Sequence, residues 1–264
     1  MIEPPYVPNG TEPDPKRMWQ RRAQDAISCY DEYARPYAGE YYWRVRGIDA
    51  AGNTVGRYSD AEEFVVRDYT SKRVNTAIFG DSVTHGGGAL SYAPSALEYC
   101  FATYFDFPAL NLGRSGDTVQ MSLERFDADV LPFRPKNLII FTGSNSLRDP
   151  SITAESIVQD FEAIRQKCEE NDIRPIFLTL MPIHPRNIAY AFRTPTDPRW
   201  QRKLERVNAF LREQPYCIDI EPYFYDQTHT FMDYGFSIDG LHPDIRGKML
   251  IGEIVNMHRE MLRE

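Results

Sequence analysis

The sequence predicts an α/β protein with a mostly parallel five-stranded sheet, preceded by a small β-rich N-terminal module. Two observations predict this class. After Ser71, short apolar runs alternate with segments whose apolar residues recur at helical spacing, which is the pattern of a parallel sheet with helices on both faces. From Gly39, the apolar pattern instead has a period of two, as in strands with one buried face. We therefore divide the chain into residues 1–70 and 71–264.

The N-terminal 70 residues predict a helix followed by β structure. A Pro-rich opening leads to Asp14 and Pro15, where Asp suits a helix N-cap and Pro suits the first helical position. Residues 41–46 alternate between two faces of a strand, and residues 49–53 have the composition of a hairpin turn.

The strands and helices of the larger part follow from the apolar pattern. The predicted strands are the short apolar runs Val74–Phe79, Ala109–Leu112, Leu138–Thr142, Pro175–Thr179 and Cys217–Ile220. The predicted helices carry apolar residues at i, i+4, i+7 and i+11: Ile157, Phe161, Ile164 and Cys168; then Trp200, Leu204, Val207 and Leu211; and, after Asp244, Leu250, Ile254, Met257 and Met261.

Composition indicates a soluble globular protein. The net charge of -8, without clustered Lys and Arg, argues against a nucleic-acid partner. No run of 18 or more apolar residues is present, and the residues after Met1 lack the basic and apolar stretches of a signal peptide. We expect a secreted or cell-surface protein if a signal segment lies outside this sequence, and a cytoplasmic one otherwise. The widely spaced cysteines predict small buried side chains: Cys29, Cys100, Cys168 and Cys217.

Polar segments follow several of the predicted strands. Ligands of open parallel sheets bind beyond the carboxyl ends of the strands, so these segments are the ones to inspect. They are Gly80-Asp81-Ser82-Val83-Thr84, Gly113-Arg114-Ser115-Gly116, Gly143-Ser144-Asn145 and, near the end of the chain, Asp239-Gly240-Leu241-His242-Pro243. Taken alone, the first of them also fits a turn that leads into a helix N-cap.

These four segments, in this order, resemble the conserved blocks of the SGNH hydrolases, also called GDSL hydrolases. The resemblance runs from Val74 to the C-terminus. It implies a flavodoxin-like three-layer α/β/α fold and a serine esterase that needs no metal or organic cofactor. It also implies roles for five residues: Ser82 as nucleophile, Asp239 and His242 as acid and base, and Gly113 and Asn145 as oxyanion-hole donors.

The chemistry of ester cleavage supports these roles. A serine hydroxyl is a weak nucleophile until an imidazole accepts its proton, and a carboxylate fixes the tautomer of that imidazole. Ser82, His242 and Asp239 supply the three groups. A tetrahedral oxyanion needs preorganised donors, which the backbone N–H groups of Ser82 and Gly113 and the side-chain amide of Asn145 would provide. Gly113 suits this role because it lacks a Cβ.

A second Asp-x-x-His pair, Asp226 and His229, competes for the role of acid and base. We prefer Asp239 and His242 because Gly240 permits a tight loop. The segment after His242 also opens the final helix with Pro and Asp.

The third segment departs from the family pattern. The family usually has an aspartate after the asparagine, whereas Ser146 follows Asn145 here, so a supporting role of that aspartate is lost or moved. We expect His85 to be a partly exposed loop histidine, with pocket lining as the alternative. His184 and Arg186, on a long loop after the fourth strand, are expected either to form a wall of the site or to lie on the surface.

The N-terminal module suggests the substrate. Residues 39–46, 56–59 and 64–66 resemble the last strands of bacterial fibronectin type III-like modules, although a complete sandwich needs roughly 100 residues. The module is therefore partial or remodelled, or the sequence begins within it. It resembles modules attached to carbohydrate-active enzymes, so we expect an esterase that removes acetyl groups from a sugar or polysaccharide. Open strand edges favour pairing between copies of the chain.

Two alternatives remain open from the sequence. The first is the same chemistry on another acyl group, as in a short-chain carboxylesterase, lysophospholipase or thioesterase. The second is a non-catalytic carbohydrate-binding protein on the same fold, in which the altered third segment has disabled turnover.

Overall fold

The computed structural model describes residues 39–44, 46–49, 53–66, 73–88 and 97–263. The strands, in chain order, are β1 (Gly39–Trp43), β2 (Gly47–Ile48), β3 (Thr54–Val55), β4 (Glu62–Val66), β5 (Thr76–Gly80), β6 (Leu110–Gly113), β7 (Asn137–Phe141), β8 (Arg174–Leu178) and β9 (Cys217–Ile218). The α-helices are α1 (Ser82–His85), α2 (Val119–Asp129), α3 (Ser144–Arg148), α4 (Ala154–Glu170), α5 (Pro185–Phe192), α6 (Trp200–Arg212) and α7 (Ile245–Met257).

A five-stranded parallel sheet forms the core of the larger part. Its strand order is β6-β5-β7-β8-β9, and every neighbouring pair is parallel. This order is the flavodoxin-like one. The second strand of the sheet lies on one side of the first, and the later strands lie on the other side. The α/β fold expected from the sequence is confirmed, and each predicted strand lies within a few residues of its observed position.

The two central strands are apolar along most of their length because helices cover both of their faces. All residues of β5 and β7 are buried, as expected for the interior of a parallel sheet. Neighbours in the helical layers are α2 with α4, α4 with α6, and α7 with the 3-10 helix Phe101–Tyr104. Within the described ranges, no helix is long and apolar enough to cross a membrane.

Two of the predicted helical stripes are confirmed and one is wrong. The apolar residues predicted for α4 and α6 are all buried. In α7, by contrast, Met257 is 71% exposed, and the buried face carries Lys248, Ile251 and Val255. The prediction failed because the helix ends at Met257 and because a fully buried lysine lies on its inner face. Ile254 belongs to both the predicted and the observed face.

The described part of the N-terminal segment consists of short antiparallel pairs. β1 pairs with β4, and β2 pairs with β3. The backbone N–H of Asp49 donates to the carbonyl of Asn53 at 2.9 Å, which agrees with the predicted hairpin turn. The helix predicted after Asp14 lies outside the described residues. The likeness to fibronectin modules and the boundary after residue 70 stay predictions.

One buried arginine ties the carboxyl ends of two strands together. Arg125, in α2, donates to the Gly80 carbonyl of β5 at 3.0 Å and to the Leu112 carbonyl of β6 at 2.9 Å. Its Nε also donates to Asp117, whose side chain is 2% exposed. Burial raises the pKa of the Asp117 carboxyl, and the charge and hydrogen bond of Arg125 offset only part of that effect.

Replacement of this arginine should destabilise the fold strongly. We expect Arg125→Met to lower the free energy of unfolding by about 3–5 kcal/mol, because it leaves a buried carboxylate without its cation. Urea denaturation at neutral pH measures the change. As a matched control, Arg165→Met breaks the pairs with Glu162 and Glu169 on the outside of α4 and should cost less than about 1 kcal/mol. Equal losses in the two variants would contradict this role of Arg125.

Candidate active site

Ser82 follows the carboxyl end of β5, an interior strand of the sheet, where α1 begins. Asp81 is the N-cap of α1, and its Oδ1 accepts from the backbone N–H of Val83 at 3.0 Å. Its Oδ2 accepts from the backbone N–H of Gly143 and from the hydroxyl of Ser144, at 3.1 and 2.6 Å. Asp81 therefore joins the first and third polar segments besides capping the helix.

The structure brings together the three residues predicted as nucleophile, base and acid. Ser82 Oγ lies 2.8 Å from His242 Nε2, and His242 Nδ1 lies 2.8 Å from Asp239 Oδ2. All three are buried, with exposed fractions of 7%, 6% and 1% in that order along the hydrogen-bonded line. A hydroxyl, an imidazole and a carboxylate in this order can pass a proton from the serine to the histidine.

Hydrogen bonds hold Asp239 in its charged form. Its Oδ1 accepts from the backbone N–H groups of Leu241 and His242, each at 2.8 Å, and from the hydroxyl of Ser237 at 3.2 Å. Burial by itself raises the pKa of Asp239, but the attraction of His242 and these hydrogen bonds outweigh it and lower the pKa from its ordinary value. Gly240, with φ of +78°, makes the tight loop that the sequence predicted.

The competing pair Asp226 and His229 occupies a separate surface turn. Asp226 Oδ1 accepts from the hydroxyl of Thr228 at 2.8 Å and from the backbone N–H of Thr230 at 3.1 Å, so its carboxylate closes its own turn. His229 is exposed and has a left-handed backbone conformation, with φ of +53°. Its ring lies beside Tyr225, at 6.2 Å between centroids.

The predicted oxyanion donors differ in how they are engaged. Asn145, in the first turn of α3, donates from Nδ2 to the carbonyl of Asp117 at 3.0 Å, which uses one of the two N–H groups of its amide. The backbone N–H of Gly113 donates to Asn111 Oδ1 at 2.8 Å. A Cβ at Gly113 would lie 2.3 Å from the backbone nitrogen of His85. The absence of a side chain there lets β6 pack against α1.

Gly116 is a candidate donor that the sequence analysis missed. It lies in the loop after β6, with φ of +90° and open space where a Cβ would point. Its N–H donates to no residue in the described part of the chain. The carbonyl of the following residue, Asp117, is the acceptor for Asn145. Gly116 belongs to the second polar segment, so the sequence carried a signal for it. The resemblance to the family instead assigned the donor role to Gly113, the last residue of β6.

Three further expectations are settled by position. His85 is 2% exposed at the end of α1 and shares a hydrogen bond of 2.8 Å with Ser115 Oγ, so the expected exposed loop position is wrong. His184 caps α5 by accepting from the backbone N–H of Asn187, where a long loop was expected. Arg186, in the same helix, is exposed.

Ser146, which stands where the family usually has an aspartate, forms a hydrogen bond between two helices. Its hydroxyl is buried and accepts from the backbone N–H of Val119, at the start of α2, at 3.0 Å. This bond joins α3 to α2 close to Asn145. The departure from the family pattern therefore coincides with a buried hydrogen bond.

A buried lysine supports the helix that carries Ser82. Lys248 of α7 is fully buried, and its Nζ donates to the carbonyl of Val83 at 2.5 Å. Burial lowers its pKa to about 7, although Cys100, Asp81, Asp239 and Asp244 act in the opposite direction. This side chain links α7 to α1 through the carbonyl of the residue that follows Ser82. In the described part of the chain, no three His, Cys, Asp or Glu side chains are grouped as metal ligands.

A buried line of serine, histidine and aspartate at the carboxyl end of a parallel sheet is the arrangement of an α/β serine hydrolase. A family model for GDSL-like lipases and acylhydrolases matches residues 78–250, which is more than half of the chain. The chain belongs to this family and is a serine hydrolase. A search of curated proteins finds no match to the sequence.

Solved structures share the fold. The lipase/acylhydrolase from Enterococcus faecalis is 21% identical, with a TM-score of 0.57 over 72% of this chain and 97% of that one. A GDSL-like lipase from Bacteroides thetaiotaomicron is 16% identical, with a TM-score of 0.55 over 72% and 89%. An acetyl xylan esterase is 18% identical, with a TM-score of 0.53 over 70% and 99%. At these identities the likeness is one of fold.

The buried lysine should make stability depend on pH. In the unfolded chain Lys248 has its ordinary pKa of 10.5, whereas in the fold the pKa is about 7. Between these values the unfolded state binds the extra proton, so the free energy of unfolding rises as the pH is raised above 7. We expect Lys248→Met to remove this rise between about pH 7 and 8.5, as measured by urea denaturation.

The predicted pH range ends at about 8.5 because other groups titrate above it. Burial raises the pKa of the Cys168 and Cys217 thiols, the latter to about 12, so their titration makes the free energy of unfolding fall as the pH rises further. Lys167→Met, on the outside of α4, is the control and should keep the wild-type slope. If the free energy of unfolding of Lys248→Met rises with pH as steeply as that of the wild type, Lys248 does not titrate in this range.

Proposed function

We propose that this protein hydrolyses carboxylic esters through an acyl-enzyme, with Ser82, His242 and Asp239 as its catalytic residues. The observation that carries the proposal is the continuous line of two 2.8 Å hydrogen bonds from Ser82 through His242 to Asp239. His242 Nε2 accepts the proton of Ser82 Oγ as this oxygen attacks the ester carbonyl. The negative Asp239 stabilises the imidazolium that forms.

The acyl-enzyme forms and breaks through the same groups. When the tetrahedral intermediate collapses, the bond to the alcohol oxygen breaks and His242 gives that oxygen the proton. Water then enters, loses a proton to His242 and attacks the acyl carbonyl. The bond between the acyl carbon and Ser82 Oγ breaks, His242 returns the proton to Oγ, and the carboxylic acid is released. The ester bond and one water molecule are consumed, and no oxidation occurs.

For the oxyanion we propose the backbone N–H groups of Ser82 and Gly116 and the Nδ2 group of Asn145 as donors. Gly116 replaces Gly113 in this proposal because the Gly113 N–H already donates to Asn111. The bond from Asn145 to the Asp117 carbonyl supports the choice, because it ties the amide to the residue that follows Gly116 in the same loop. The bond between His85 and Ser115 anchors the same loop to α1.

For the substrate we propose an acetylated sugar or polysaccharide. Ser82 and His242 are almost fully buried, which favours a small acyl group. The fold is shared with an acetyl xylan esterase, and the N-terminal segment resembles modules of carbohydrate-active enzymes.

Covalent labelling tests the catalytic residues. A fluorophosphonate should modify Ser82 once per chain, detected by intact mass and peptide mapping, and Ser82→Ala should stay unlabelled. His242→Ala should slow labelling by orders of magnitude because the hydroxyl loses its base. His229→Ala is the matched control and should label like the wild type. Rapid labelling of His242→Ala with loss in His229→Ala would move the base to the second pair.

Acyl-chain selectivity tests the substrate. We expect 4-nitrophenyl acetate to be hydrolysed with a higher kcat/KM than 4-nitrophenyl octanoate, and acetate to be released from acetylated xylan by the wild type but not by Ser82→Ala. Initial rates and acetate assays measure both. A preference for octanoate, with no acetate released from xylan, would favour the lysophospholipase or thioesterase alternative.

A further inference from the structure

Arg148 is a cation close to the candidate active site that the proposed mechanism does not use. It ends α3, one helical turn after Asn145. Its guanidinium carbon lies over the ring of Phe192, 5.0 Å from the ring centroid. Phe192 in turn lies edge-on to the ring of His242, at 5.8 Å between centroids. Arg148 is thus separated from the catalytic base by a single aromatic ring.

No carboxylate in the described part of the chain forms an ion pair with Arg148. Its Nη2 donates to the hydroxyl of Thr194 at 3.0 Å. The nearby Asp197, whose backbone N–H donates to the Arg148 carbonyl, pairs instead with Lys203 and Arg199. Burial lowers the pKa of Arg148, while the charge of Asp239 raises it. The guanidinium stays charged at any physiological pH because its ordinary pKa is so high.

Among the described residues, the buried side-chain atoms without a hydrogen-bond partner include Arg148 Nε and Thr196 Oγ1, and also Arg174 Nε in another part of the fold. Thr196 lies in the sequence between Thr194 and Asp197, both of which contact Arg148. Buried polar groups without partners are rare in folded proteins and cost free energy, so Arg148 Nε, close to the candidate active site, is a candidate for a partner supplied by a ligand.

We propose that Arg148, together with Thr196, binds a carboxylate on the alcohol part of the ester substrate. The alcohol side follows from the mechanism, because His242 gives its proton to the leaving oxygen and the leaving group therefore lies against the His242 side of the site. A single guanidinium matches the one negative charge of a carboxylate and its planar pair of oxygens. The proposal rests on the esterase function. It narrows the substrate to an ester whose alcohol part also carries a carboxylate, such as a sugar acid.

A matched pair of aryl acetates tests the charge preference. 4-Acetoxybenzoate carries a carboxylate on its leaving group, and 4-acetoxybenzamide is its neutral counterpart. We expect the wild type to prefer the benzoate, mainly through a lower KM. Arg148→Gln should reduce the ratio of kcat/KM for benzoate over benzamide by about tenfold or more, as for the loss of a charge-assisted hydrogen bond.

Two further variants separate binding from structure. Arg148→Lys keeps the charge without the planar fork and should retain part of the preference. Arg202→Ala removes an exposed positive charge of α6 and should leave the ratio unchanged. If Arg148→Gln lowers kcat/KM equally for both substrates, the arginine has only a structural role and the proposal is wrong. Thermal melting of each variant shows whether it is folded.

A second pair of substrates tests whether Arg148 instead binds a charge on the acyl part of the ester. 4-Nitrophenyl hydrogen succinate carries a carboxylate on its acyl group, and 4-nitrophenyl butyrate is neutral. A preference for the succinate that depends on Arg148, without one for the benzoate, would overturn the assignment to the alcohol. Hydrolysis of the neutral esters with no Arg148-dependent charge preference would reject this subsite and leave the esterase intact. Failure to hydrolyse any ester, with Ser82 unlabelled by fluorophosphonate, would reject both proposals.

Discussion

The hydrogen bond between Ser82 and His242 joins groups 160 residues apart, and much of the fold serves to make it possible. The two ends reach each other because the loop before α7 returns to the carboxyl edge of β5. Lys248 fixes α7 to the helix that carries Ser82 through the Val83 carbonyl. On the other side of the loop, the backbone N–H of His184 donates to the Gly240 carbonyl at 2.8 Å. The loop that carries His242 is therefore held from both sides.

The same edge of the sheet is held together by shared hydrogen bonds among the polar segments. Asp81 accepts from the third segment, and Asn145 of that segment donates to the Asp117 carbonyl in the loop after β6. Arg125 binds the Gly80 and Leu112 carbonyls from below. These hydrogen bonds connect the segments to one another at this edge. A preorganised set of donors needs such support if it is to stabilise an oxyanion without rearranging.

The parts that could be predicted from the sequence are those in which a local pattern carries the information. β5 and β7 are continuous apolar runs, and α4 and α6 have stripes at helical spacing, so hydrophobic periodicity was enough to locate them. The order of the polar segments placed Ser82 and His242 at one edge, because all strand ends of a parallel sheet meet there. The choice of Asp239 over Asp226 also followed from local features, namely the glycine and the helix start that flank it.

The parts that could not be predicted depend on tertiary contacts. A sequence does not show that the Gly113 N–H donates to Asn111 or that His85 shares a hydrogen bond with Ser115. The buried face of α7 was also missed, because Lys248 is charged and the sequence pattern assigns charged residues to the surface. In each case a polar group is buried because another part of the chain provides its partner, and such pairings have no fixed spacing.

The buried cations then differ in a way that bears on specificity. Arg125 is matched by Asp117 and by two strand carbonyls, and Lys203 is matched by Asp197, so their positions are explained by the fold itself. In the described part of the chain Lys248 has no ion-pair contact of this kind, and its Nζ donates a hydrogen bond to the Val83 carbonyl. Arg148 donates to a threonine hydroxyl and lies over the ring of Phe192, and within the described residues no carboxylate forms an ion pair with it, although the charge of Asp239 acts on it. Phe192 in turn lies against His242. Under the proposed mechanism the leaving group lies on this side of the site, so a negative charge on the substrate is the simplest match for Arg148.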